Sequence, residues 1–343
     1  MAALTAVIGL CAVAFTLWEP ASPDSRSSAS KTGETVQRPS ANWYQSAPYV
    51  FVTDRDAPDL GEVLEATGQK AFTLAFVRAP ASGGCVPTWG GTDPVSKDTR
   101  VAKIIRDLRA RGGDVTASFG GGAGIALGLE CDSPRATADA YQRVLDKYGI
   151  RVIDLDLERK VNQNPAAIAN EIGAARILQK ENPGLVVSVT LPGTATGVDA
   201  LGERVLIRAR DAGLDVAAYT LMPFDGDFHF AAAQQRALTG FNGQLRKHFG
   251  WSADEAWRHT GISQMNGRST LGEYFSEVDF ASNLIFAKEH HMARFTFWSL
   301  NRDRECSPPD NNQKLSTTCS SVPQSAYAFT RYGTDFAKWA ATR

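Results

Sequence analysis

Val152-Ile153-Asp154-Leu155-Asp156-Leu157-Glu158 is the stretch on which the fold turns. Its period of two predicts a β-strand, with Asp154, Asp156 and Glu158 on one face and Ile153, Leu155 and Leu157 on the other. The apolar set suits burial against helices. The acidic set repels itself, so folding alone gives no reason for it. Two settings can hold it: a solvated face of an antiparallel sheet, or a strand in a βα repeat whose acids line a site.

The flanking sequence separates the two. Strand-like runs precede it at Pro48–Thr53, Ala71–Val77 and Asp114–Phe119, and follow it at Leu185–Leu191, Leu214–Met222, Thr260–Met265 and Phe295–Leu300. Helical spacing intervenes over Thr99–Arg111, Ala136–Lys147, Pro165–Lys180, Asp199–Ala212, Phe230–Phe249, Phe280–His291 and Gln324–Ala340. Val101, Ile104, Ile105 and Leu108 share one helical face, as do Ile168, Ile172, Ala175 and Leu178. Gly240 and Gly243 are possible breaks in their helix. Eight such units predict an α/β fold, a (β/α)8 TIM barrel over 48–343. A doubly wound open sheet is the alternative, but the chain lacks a glycine-rich dinucleotide turn. Five strands end in polar or aromatic residues: Ser118 with Gly120-Gly121-Gly122, the acidic trio, Asp225, Gln264 and Trp298. An active site at a barrel mouth draws on several strands in this way.

The chain has 343 residues, 36 Lys and Arg against 37 Asp and Glu, and no basic cluster. Nothing in that balance points to a nucleic-acid partner. Met1 to Trp18 is uncharged and mostly apolar, and Ala21 to Ser40 is polar and Ser-rich. We expect an export signal or uncleaved membrane anchor over 1–18 and a disordered linker over 19–47. The basic start of a signal is missing, and the run barely reaches the ~20 residues of a spanning helix. Leu10 before Cys11 argues against lipidation. An exported, secreted chain with four further cysteines favours disulfides. Cys306 and Cys319 bracket one polar loop, which leaves Cys85 for Cys131. No His or Cys pattern has metal-ligand spacing, and no metal or cofactor is expected. His290 and His291 diverge by about 100° on a helix and read as a surface pair.

Residues i and i+2 of a strand lie about 7 Å apart, so Asp156 sits between two carboxyls and at least one pKa should rise. Glu158, the outermost, becomes the candidate general acid. Asp156 can share a proton with Asp154 or turn toward Glu158. A structural hydrogen-bond network is the other reading of the trio. Gly120 to Gly124 lacks the Lys-Ser or Lys-Thr of a phosphate loop, and lets backbone pass close to another strand or to ligand. Trp298 shares a strand face with Thr296, which suits a platform for the apolar side of a sugar; core filling is the alternative.

These residues resemble glycoside hydrolase family 18, the chitinases and related endo-β-N-acetylglucosaminidases. Asp154-x-Asp156-x-Glu158 is similar to the family's D-x-x-D-x-D-x-E signature on strand four. Ser118-Phe-Gly-Gly121 is similar to its S-x-G-G, Met222-Pro-Phe-Asp225 to its M-x-Y-D, and Trp298 to the tryptophan beneath the −1 sugar. Phe297-Trp-Ser-Leu-Asn-Arg-Asp303 looks like the bacterial single-domain branch. The resemblance implies a retaining hydrolase of β-1,4-linked N-acetylglucosamine polymers, a monomer acting on chitin through an oxazolinium intermediate. Glu158 would be the acid, Asp156 would orient the acetamide, and Asp154 would tune Asp156. Asp225, Trp298, Met222, Gln264, Ser118 and Gly120 would meet substrate. A silent glycan-binding barrel and an N-glycan endoglycosidase are the alternatives.

The chain also departs from the family pattern. Arg151 and Val152 replace the signature's first Asp and Gly, and Arg159 the Gly that often follows the acid. Phe224 stands where the family has the tyrosine that binds the acetamide, and Gly226 where the bacterial branch supplies one instead. Loss of such a donor costs on the order of 10²-fold in rate unless another group replaces it.

Overall fold

The computed structural model describes residues 38–308 and 315–343, together with Ala3. Residues 38–308 and 315–343 fall within one unit, Val36–Arg343. Within it eight barrel strands run in chain order: β1 (Tyr49–Phe51), β2 (Ala71–Arg78), β3 (Asp114–Gly120), β4 (Val152–Asp156), β5 (Val186–Pro192), β6 (Ala218–Met222), β7 (Thr260–Met265) and β8 (Arg294–Trp298). Each pairs in parallel with the next, from β1 to β8. A main helix follows each strand, with shorter helical turns beside some of them: α1 (Leu60–Thr67), α2 (Arg100–Ala110), α3 (Pro134–Tyr148), α4 (Pro165–Glu181), α5 (Ala200–Ala212), α6 (Phe230–Phe249), α7 (Glu277–Glu289) and α8 (Ala328–Ala340). The sheet curls into the expected (β/α)8 barrel. Side chains close its seam, because Asn301 accepts from Phe51 N–H at 2.9 Å and donates to Phe51 O at 3.1 Å. Thr296 Oγ1 adds a bond to Ala47 O.

The helices form where the apolar spacing predicts them. Ile168, Ile172, Ala175 and Leu178 of α4 are all buried. Each large aliphatic side chain so buried contributes about 1.5–3 kcal/mol. Asn164 caps that helix by accepting from Ala166 and Ala167 N–H. α6 runs unbroken through Gly240 and Gly243. Several elements have no counterpart in the sequence reading, α1 and a hairpin among them. α1 is eight residues long and is marked only by its Asp59 N-cap and left-handed Gly68. A two-stranded hairpin pairs Gly267–Arg268 with Tyr274–Phe275 beyond β7. His290 stacks on Trp257, while His291 faces Trp339 and is exposed.

Both cysteine pairings hold, Cys85–Cys131 with Cα atoms 4.8 Å apart and Cys306–Cys319 at 5.1 Å. The linker expected over 19–47 needs a correction at its end. Ala41–Gln45 is helical, Ser46 and Ala47 are fully buried, and Tyr44 Oη donates to Asp114 at 2.8 Å. Trp43 and Tyr44 supply apolar surface that a count of polar residues overlooks. The expected signal or anchor, Cys11 and the first part of the linker lie outside the described residues.

Candidate active site

Strand β4 lies between β3 and β5, with Asp154 opposite Ser118 and Ser188, and Asp156 opposite Gly120 and Thr190. Asp154 is fully buried and accepts four hydrogen bonds. Tyr49 Oη (2.8 Å) and Ser118 Oγ (2.7 Å) donate to Oδ2, and Thr190 Oγ1 and Arg294 Nη1 (both 2.7 Å) to Oδ1. A carboxylate has about four lone-pair sites, so Asp154 has none left for Asp156. Of the two proton partners open to Asp156 on sequence grounds, the geometry selects Glu158.

The acid stands just beyond the strand. Leu157 N–H donates to Thr190 O at 3.0 Å, and Asn162 donates to Leu157 O at 2.7 Å. Arg159 then turns the chain outward with φ of 48°. Leu157 stays in the core while Glu158 is left half-buried at the barrel mouth. Burial pushes the Asp156 carboxyl well above the usual range, with the charges of Glu158 and Asp154 adding to it. Burial raises Glu158 as well, against the pull of the Arg159 guanidinium and a hydrogen bond from Asp156. Two neighbouring carboxyls that both resist ionisation hold a proton between them at a pH where ordinary carboxyls have lost theirs.

A cleft of about 350 Å³ opens at this mouth, and Asp156, Glu158, Met222, Asp225 and Trp298 line it together. Trp298 is half-buried, with Phe76 stacked 5.3 Å from it at 14° and Tyr49 and Phe51 packed at 6.2 and 6.3 Å. The indole therefore packs against the barrel wall and also borders the cleft, so platform and filling are not exclusive here. Asp225 is exposed, with Leu271 N–H donating to its Oδ1 at 3.0 Å.

Three expected contacts are corrected. Gln264 is fully buried and accepts from Asn283 of α7 at 2.8 Å, outside the cleft. Strand alternation explains it, since Gln264 shares a face with the core residue Ile262. Ser118 lies in the floor, spent on Asp154 rather than lining the cleft. Gly120 is also outside the lining, and its carbonyl accepts from Arg78 Nε at 2.7 Å. Its φ is 104°, and a Cβ there would lie 2.2 Å from Asp156 O, so glycine lets β3 pass close to the catalytic-face end of β4.

The cleft also contains residues that the sequence reading missed. Ser263, on the opposite pleat from Gln264, lines it, and its buried hydroxyl has no hydrogen-bond partner among the described residues. Asp156 Oδ1 likewise lacks one. Arg78 packs its guanidinium 4.8 Å from the Phe76 ring, close enough to Asp156 and Glu158 to act on both. Counting pleats from Ile262 would have found Ser263. Arg78 ends a fully buried strand, and nothing in its neighbours' composition marks it.

No family model matches the chain. The chain is 27% identical over 292 residues to a probable bifunctional chitinase/lysozyme of Escherichia coli (strain K12), covering 79% of this chain and 32% of that protein. It is 26% identical over 292 residues to endochitinase 11 of Metarhizium anisopliae, covering 79% and 55%. It thus spans about a third and about half of the length of these relatives. The catalytic domain of a hyperthermophilic chitinase from Pyrococcus furiosus aligns with a TM-score of 0.75 at 26% identity, covering 85% of this chain and 94% of that one. A putative chitinase A from Streptomyces coelicolor shares the fold at a TM-score of 0.52 and 14% identity, covering 83% and 94%. The chain is thus similar in sequence to chitinases and in fold to a chitinase catalytic domain.

Proposed function

We propose that this chitinase-like chain hydrolyses β-1,4-linked N-acetylglucosamine polymers with retention of configuration. The observation that carries the reading is the Asp156–Glu158 pair, both carboxyls raised, at a cleft bordered by Trp298. Glu158 protonates the glycosidic oxygen as the bond to the anomeric carbon breaks. The acetamide oxygen of the −1 sugar attacks that carbon and forms an oxazolinium ring. Asp156 turns from Glu158 to the acetamide nitrogen and stabilises its positive charge. Water then opens the ring, returning its proton to Glu158. No second carboxylate at nucleophile spacing is needed. Asp154, fully occupied, serves as the fixed negative floor beneath Asp156. Asp225, Met222 and Trp298 hold the −1 sugar.

Phe224 lines the cleft where the family has its tyrosine, and this favours a second reading, a barrel that binds glycan without cleaving it. Time-resolved NMR of chitohexaose hydrolysis decides between them. New β-anomer reducing ends support the proposal, and binding without products supports the rival. The two disulfides support an oxidising compartment, so we read the protein as exported.

A further inference from the structure

Asp225 stands on a loop that backbone preference alone would not keep. Asp225, Asp227 and Phe230 all have left-handed φ, at 55°, 66° and 63°. Non-glycine residues persist there only where surrounding contacts hold them, at about 1–3 kcal/mol each. At Asp225 the main contact is one side chain of the hairpin that follows β7. The Glu273 carboxylate accepts from the backbone N–H of Asp225 (2.6 Å), Gly226 (3.1 Å) and Phe228 (2.7 Å), and from Ser269 Oγ (2.8 Å). Glu273 is 4% exposed, and among the described residues no cation forms an ion pair with it. Its charge is met by loop dipoles. The same hairpin supplies Leu271 N–H to the Asp225 carboxylate, so Asp225 is gripped by its backbone and its side chain at once.

We propose that Glu273 is the positioning residue for Asp225, fixing that carboxylate against the −1 sugar without touching substrate itself. The inference rests on the chitinase reading of the same cleft. Its test is a double-mutant cycle of Glu273→Gln and Asp225→Asn, with kcat and KM on a fluorogenic chitobioside and backbone amide exchange in each variant. Glu273→Gln is expected to lower kcat/KM by roughly 10-fold, the scale of coupling between residues in contact. In the Asp225→Asn background it should cost about 2-fold or less. Exchange at Asp225, Gly226 and Phe228 should accelerate while β3 and β5 amides keep their protection. Equal fold losses in both backgrounds, or unchanged exchange at those three amides, would overturn the assignment. If Glu273→Gln fails to fold, Ser269→Ala removes one of its donors and should give the same pattern in smaller measure. A wild type that binds without cleaving removes the chitinase reading, while the exchange arm still decides whether Glu273 holds the loop.

Discussion

Asp154 and Arg294 form an ion pair of 2.7 Å on the floor of the barrel, with side chains 0% and 2% exposed. A buried pair of this kind adds little over an apolar pair, but removing one member strands the other. Arg294→Met should therefore destabilise the fold by about 3–5 kcal/mol in chemical denaturation. A loss under about 1 kcal/mol would show that Tyr49, Ser118 and Thr190 alone suffice for Asp154.

The Arg159 guanidinium favours ionised Glu158 more than any other neighbour does. Removing it leaves the carboxyl protonated to higher pH. Arg159→Gln should move the alkaline limb of the kcat/KM–pH profile upward, and a limb that stays or falls contradicts this.

Glu171 of α4 is buried, with Tyr141 and Gly128 N–H as its hydrogen-bond donors, and burial raises its pKa to about 7. The folded chain then holds a proton that the unfolded chain releases near pH 4.3. Its stabilising contribution is complete below that pH and is lost as pH rises toward 7, by about 3–4 kcal/mol in all. Melting curves from pH 5 to 8 should show Glu171→Gln with a flatter decline than wild type. Parallel curves would contradict the prediction.

The Cys306–Cys319 bridge closes a 13-residue separation and adjoins Ser320, whose carbonyl accepts Arg268 N–H at 2.9 Å at the base of the hairpin. Replacing both cysteines with serine should cost about 3 kcal/mol. It should also lower kcat through the hairpin's hold on Asp225. Unchanged kcat with lowered stability would confine the bridge to a structural role.

The barrel was legible because most of its strands and several of its helices carry a clear period, and the trio because acids on a strand face inside a βα repeat have no folding rationale. The site's support was not legible. Arg294 is 140 residues from Asp154, and the sequence shows nothing to join them until the barrel closes. Glu273 sits in a short hairpin without strand-like alternation. Gln264 ends its strand with a polar group, but pleat parity, which decides which side faces the cleft, turns it away toward Asn283. Ser118 was on the right face but one layer too deep.

In the proposed mechanism, Glu158 delivers the proton to the glycosidic oxygen. Hydrolysis of a fluorogenic chitobioside by wild type and Glu158→Gln, with chitotetraose binding measured on both, tests it most directly. The variant should bind within a few-fold of wild type and lose about 10²–10⁴-fold in kcat. Equal rates in the two proteins would contradict the claim.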